Sequence, residues 1–320
     1  MQIAELGVPR EKMDNRIAQL VKDSYFESRL YEAAVRNLQD TENRLRFNNF
    51  AYAMRELSRH FLKRLAPDDQ VVKCTWYKNV TGEVGKLARS ERASFAVHGG
   101  LAEDFVRKKL KIDLKSMNKR LKETIDALSK YTHIEENVFN LSPSDIDHLV
   151  AETTETFAEF FETIKRCRDE IANELNEAIG RAAFQEIIMN AVPGMDELST
   201  HQYVDDIYID DAEVTAIDCK TVYVKVSGTL YVELQYGSGS DVRKGEGTTI
   251  DDSFPFACKM TCPTSDPSGK TLQLQGRLKA NFDSFYGLDY QHDEPEQEED
   301  PFDESSRAQR SSSTDEDALA

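Results

Sequence analysis

Apolar residues recur at three- and four-residue steps through the first two thirds of the chain and then switch to strict alternation, so the pattern predicts helices followed by strands. Over residues 41–66, Leu45, Phe47, Phe50, Met54, Leu57, Phe61 and Leu65 form one stripe, with Thr41 suited to cap the helix and Pro67 to stop it. A weaker helix is expected over 83–97, ended by Gly99 and Gly100. In 101–133, Phe105, Val106, Leu110 and Ile112 make a short helix and its turn, while Leu114, Met117, Leu121, Ile125 and Leu128 stripe a second, the outline of a helix-turn-helix. Ser142 and Pro143 then open a near-heptad run through Ile146, Phe157, Ile164, Ile171 and Leu175 that continues to Ile187 and stops at Pro193. It predicts either a helix hairpin bent at Gly180 or one long coiled-coil-like helix that packs or dimerises.

Beyond Tyr203 the period becomes two. Val222, Val224, Val226, Leu230, Val232 and Leu234 alternate with polar and tyrosine positions, which makes a strand with one dry and one wet face; Gly228 on the dry side suggests a bulge or a close backbone crossing. The alternation returns in Phe254, Phe256, Cys258, Met260 and Cys262 and in Leu272, Leu274, Leu278, Ala280 and Phe282. A further strand over 207–217 joins the first through a turn at Asp218, Cys219 and Lys220. The expected class is α+β: an N-terminal helical bundle with long helices, then a C-terminal antiparallel β-sheet or sandwich. The expected divisions are a helical segment over 1–40, a helical domain over 41–195, a β domain over 196–288 and an acidic tail over 289–320.

Charge refines this picture. The chain of 320 residues carries a formal −18, but residues 289–317 hold twelve acids against Arg307 and Arg310, a net −10, which leaves −8 for 1–288. A body that is only mildly acidic is expected, with a tail too polar to fold, serving solubility or covering a basic patch. Five scattered cysteines without a C-x-x-C pair predict neither disulfides nor a zinc site. With neither a signal-peptide core nor a stretch apolar enough to cross a bilayer, a soluble cytoplasmic protein with no membrane partner is expected.

Three constellations bear on chemistry. Asp210 or Asp211 upstream of Asp218-x-Lys220 resembles the carboxylate and lysine set with which restriction-type nucleases hold a divalent cation such as Mg²⁺ and position water, so Asp211 and Asp218 are candidate metal ligands and Lys220 a catalytic partner; the same residues suit a hairpin turn. Arg55 with His60, and Arg92 with His98, match the Arg-x(4–6)-His spacing of metal-independent helical ribonucleases, in which arginine stabilises the phosphorane and histidine moves protons. Arg107, Lys108, Lys109, Lys111, Lys115, Lys119, Arg120 and Lys122 form the densest basic stretch, suited to phosphates or to a solvated helix face. His133 and His201 each fall where a helix is expected to end, and His201 lies near Asp205 and Asp206. Ser268-Gly269-Lys270-Thr271 lacks the upstream glycine of a phosphate loop, since position 264 is Thr, and YGSGSD at 236–241 reads as a loop whose amides could also form an anion nest.

Taken together, LSRHFLKRLAPDD, HGGLAEDFVRKKLKID, ALSKYTH, DELSTH and VELQYGSGSD…DDSFPF resemble a family of bacterial proteins described as predicted pPIWI-associating nucleases, over roughly residues 40–286. The resemblance implies an intracellular bacterial setting, a DNA- or RNA-directed role, possible cleavage of phosphodiesters in defence against phage or plasmids, and a defence-system protein as partner. The alternative on the residues themselves is a non-enzymatic adaptor that assembles through its long helices as a homo-oligomer and binds a partner with its β domain.

Overall fold

The short amphipathic segments at the start of the described chain begin on side-chain caps. The computed structural model describes residues 13–139, 141–189, 192–268 and 270–287. Helix α1 (Asn15–Val21) starts at Asp14, whose carboxylate accepts from the Arg16 backbone N–H at 2.8 Å, and α2 (Tyr25–Gln39) starts at Ser24. Helix α3 (Arg46–Leu65) begins a turn later than its apolar stripe suggests. Asn43 takes the backbone N–H of Leu45 on its side chain at 2.9 Å, which holds the preceding residues in turns and removes Thr41 from a capping role. The short α4 (Asp68–Val71) follows Pro67, and α5 (Arg89–His98) likewise starts late. Here Glu91 accepts from the backbone N–H groups of Val80 (2.9 Å) and Ala88 (2.7 Å), so the chain before α5 is tied back as a loop.

Helices α6 (Glu103–Lys108), α7 (Leu114–Tyr131) and α8 (Glu136–Phe139) precede α9 (Pro143–Met189), a single helix of 47 residues and roughly 70 Å at 1.5 Å per residue. Of the two forms open on the sequence, the structure has the long helix; Gly180 lies within it, facing Ile209. The N-terminal half of α9 packs on α1, α5 and α7, where Phe157 and Phe160 sit against Phe61 at ring distances of 5.8 and 5.9 Å. Thr153, Thr156 and Thr163 are buried there, each hydroxyl donating to the carbonyl four residues earlier, so their polar atoms remain satisfied in an apolar seam.

Strands β1 (His201–Ile217) and β2 (Thr221–Tyr236), then the short α10 (Gly239–Lys244), then β3 (Thr248–Pro263) and β4 (Gln273–Ala280) form one antiparallel sheet in the order β1-β2-β3-β4. Among the described residues there is no second sheet; the layer facing this one is the C-terminal half of α9, which lies on β1 and β4. The alternating side chains of β2 and β3 are buried as the pattern predicts, and Gly228 is the crossing point: a Cβ there would stand 2.2 Å from the Tyr208 carbonyl oxygen. Strand β1 begins six residues before its expected start and carries irregularities at Asp205, Asp210 and Thr215, each the extra residue of a bulge against β2. The expected fourth apolar run is split, since β4 ends at Ala280 and Phe282 lies beyond it. Residues through Ala280 make one compact unit; in the separate segment after it, Asp283–Tyr286 forms a 3-10 turn closed by Gly287. The acidic tail anticipated over 289–320 lies outside the described residues.

Candidate nucleic-acid interface

The turn between α6 and α7 contains no glycine, yet it needs a left-handed residue, and Lys111 supplies it at φ 54°. Behind it, the backbone N–H of Ile112 returns to the Val106 carbonyl at 3.2 Å, and Asp113 caps α7 by accepting from the N–H groups of Lys115 and Ser116 at 3.1 Å. Met117, Leu121, Ile125 and Leu128 then face inward, where α7 packs on α3 and α9. The opposite face is forced outward: Lys115, Lys119 and Lys122, at four- and three-residue steps, form one exposed line that Lys111 extends at its N-terminal end.

All eight basic residues singled out in the sequence are exposed. Some are neutralised locally. Arg107 and Lys108 share Asp104 at 2.6 and 2.9 Å and hold its carboxyl below the usual range, Lys119 approaches Glu123 at 3.9 Å, and Arg120 pairs with Glu159 of α9. Among the described residues no carboxylate lies within ion-pair distance of Lys109, Lys111, Lys115 or Lys122. Over residues 103–122 eight cations face Glu103, Asp104 and Asp113, a net +5 on a chain of net −18. Such a face can hold phosphates by charge.

The carboxylate and lysine set is placed differently. Asp218 sits at the β1–β2 turn, where one carboxylate oxygen accepts from the backbone N–H groups of Lys220 and Thr221, both at 2.6 Å, and the other from the Tyr223 hydroxyl at 2.9 Å. Asp211 lies mid-strand opposite Ser227, seven residues back along β1, roughly 20 Å away at strand rise. The structure therefore does not bring Asp211 and Asp218 together, and among the described residues no three His, Cys, Asp or Glu side chains are arranged to hold a metal.

The hairpin tip has another partner. It seats on Gly99 and Gly100, with the Gly100 N–H donating to the Asp218 carbonyl at 2.8 Å, and a Cβ on either glycine would collide with that backbone at 2.2–2.4 Å. Trp76 donates its indole N–H to the Gly99 carbonyl at 2.8 Å beside the same seam. Sequence reasoning missed this seam; the adjacent glycines were its signal, and their pattern suggests only a helix end.

Neither arginine and histidine pair converges. On α3, Arg55 is held by Thr132 (3.2 Å) and Glu56 (3.2 Å), whereas His60 lies beside Arg59 and edge-on to Phe26 at 4.8 Å. Five residues on a helix separate them by about 140°. Arg92 bonds the Ala66 carbonyl and Asp68, while His98 is fully buried with neither ring nitrogen hydrogen-bonded, and burial pushes its pKa down to about 4. His133 is exposed past α7, and His201 opens β1 rather than ending a helix. In YGSGSD, Ser238 and Asp241 satisfy each other's backbone N–H groups as the start of α10, which occupies amides that an anion nest would need. Ser268 and Lys270 border a cleft of about 570 Å³ against Glu170, Glu174 and Arg181 of α9.

Two family models match the chain, over residues 18–157 and 164–286, and both carry the description predicted pPIWI-associating nuclease. They meet inside α9, so its first half goes with the helices and its second with the sheet it covers. No curated protein and no solved structure matches the chain.

Proposed function

Since the chain belongs to the predicted pPIWI-associating nucleases, we propose that it engages DNA or RNA through the phosphate backbone along the exposed face of α6 and α7, in the service of phosphodiester cleavage within a bacterial defence system. The observation that carries this reading is the line of Lys111, Lys115, Lys119 and Lys122, largely free of carboxylate partners and held outward by the buried stripe of α7. Binding of this kind is electrostatic and insensitive to sequence, and its affinity falls with salt in proportion to the phosphates neutralised. Among the described residues of α6 and α7 no large aromatic side chain is exposed, so along these helices the backbone rather than the bases is what is read.

The test is incubation of the full chain with labelled single- and double-stranded DNA and RNA, in Mg²⁺ or Mn²⁺ and in chelator. Reversing Lys115, Lys119 and Lys122 to Glu should weaken binding at least tenfold and lower the salt slope by about one for each phosphate no longer neutralised. Affinity and slope unchanged in that variant would sink the interface. For cleavage, Asp211→Asn and Lys220→Ala test the metal-dependent set with less disturbance of the hairpin than Asp218→Ala, and His60→Ala and Arg55→Ala test the metal-independent one. Chelator-sensitive cutting abolished in the first pair, or chelator-resistant RNA cutting abolished in the second, would identify the centre.

A second reading rests on a specific observation. Asp218 is fully engaged in its turn and the candidate catalytic groups stand apart, an arrangement that suits an adaptor binding nucleic acid or protein without cutting. Binding without cleavage on every substrate and metal would favour it.

A further inference from the structure

The face of the sheet turned away from α9 is distinct from the basic line, and it includes Asp211, which the metal-dependent cleavage set also uses. Strand register assembles it in cross-strand rows about 7 Å apart. One row is Tyr203, Glu233 and Asp251, and the next is Asp206, Tyr231 and Ser253. Tyr208, Thr229 and Pro255 follow, then Asp211, Ser227 and Ala257, a row that Lys279 of β4 closes. Tyr203, Tyr208 and Tyr231 are 54%, 62% and 45% exposed, a zigzag of large rings that stand partly in solvent. Along β3 the floor is small, so the rings on β1 stand as one wall of a shallow trough.

The bulges of β1 concentrate charge on this face. Each adds a residue, and two of the added residues are Asp205 and Asp210, beside Asp206 and Asp211. Asp210 accepts from the Thr229 hydroxyl at 3.1 Å, which places it on the open side. Strand β1 carries five acids and no Lys or Arg; the cations on this face are Lys279, at the β4 end of the Asp211 row, and Lys225 and Lys259, a row further on with Glu213. Exposed tyrosines interleaved with carboxylates repel phosphate and offer a guanidinium both a ring face and a two-oxygen acceptor; the planar cation suits this better than an ammonium. We infer that the open sheet face is a docking surface for an arginine-rich protein segment.

The test uses the full chain and a fluorescently labelled arginine-serine repeat peptide, followed by anisotropy. Replacing Tyr203, Tyr208 and Tyr231 together by Thr keeps strand propensity and leaves the charge of the chain unchanged, so attraction to acids elsewhere, residues 289–320 included, is common to both proteins. Affinity should fall roughly tenfold or more. Asp206→Asn with Asp211→Asn should weaken binding as well, while the Lys115, Lys119, Lys122 reversal should leave it intact, which separates this surface from the proposed nucleic-acid interface. Equal affinity in the tyrosine variant overturns the inference. Should the triple variant fail to fold, amide exchange on the unaltered protein decides: peptide must slow exchange in β1 and β2. Slowing produced instead by an oligonucleotide, or by raising protein concentration alone, assigns the face to nucleic acid or to a second copy and also overturns it.

Discussion

His98 sits in an environment that opposes its charged form. Its ring is fully buried beside Trp76, at a centroid distance of 5.2 Å, and neither nitrogen has a hydrogen-bond partner. Burial holds its pKa near 4 in the folded chain against 6.5 when unfolded. The unfolded chain therefore binds the proton more readily, so stability from this group is complete above pH 6.5 and is lost as pH falls towards 4. The loss should approach about 3 kcal/mol. Urea midpoints across that window should drop less steeply in His98→Leu than in the parent; parallel profiles would refute the assignment. Gly228 gives a second residue-scale test. Gly228→Ala should cost roughly 2 kcal/mol or more because the added carbon meets the Tyr208 carbonyl and the Phe256 ring, whereas Gly239→Ala, with open space around it, should stay within about 0.5 kcal/mol.

At the scale of elements, the β1–β2 hairpin depends on Asp218. Its carboxylate satisfies two backbone N–H groups and a tyrosine hydroxyl, so Asp218→Ala should destabilise the protein by about 1–3 kcal/mol, while Asp211→Ala, on the exposed face, should change thermal stability by less than about 0.5 kcal/mol. Equal effects would contradict the turn role. Legibility follows the same physics. The stripes of α3 and α7 and the alternation of β2 and β3 are readable because each element buries one face continuously. The starts of α3 and α5 are not, since Asn43 and Glu91 bind backbone N–H groups that the apolar pattern does not register. The first six residues of β1 are hidden for another reason: the extra residue at Asp205 shifts the phase of alternation between them and the stretch from Ile207. In the candidate site, the composition of the basic line is visible, and its outward orientation follows from the buried stripe. The separation of Asp211 from Asp218 is not visible, because distance along a strand depends on the register that bulges and the turn together set.

At the scale of the whole molecule, two connections among the described residues tie sheet to helices. One is α9, shared between both layers; the other is the hairpin tip seated on Gly99 and Gly100. An element shared by two layers cannot lose one of them without exposing the apolar surface of its own half, so helices and sheet should unfold as one cooperative unit. Trp76 is the single tryptophan of the chain and hydrogen-bonds at the seam, which makes its fluorescence a local reporter, while far-ultraviolet circular dichroism is dominated by helix. In urea the two signals should give one coincident transition. Gly100→Ala places a carbon 2.2 Å from the Cys219 carbonyl oxygen and forces the tip away, so both midpoints should fall together. If tryptophan emission shifts at lower urea while the helical signal keeps its parent midpoint, the seam opens as a local event, and α9 alone carries the coupling between the sheet and the helices.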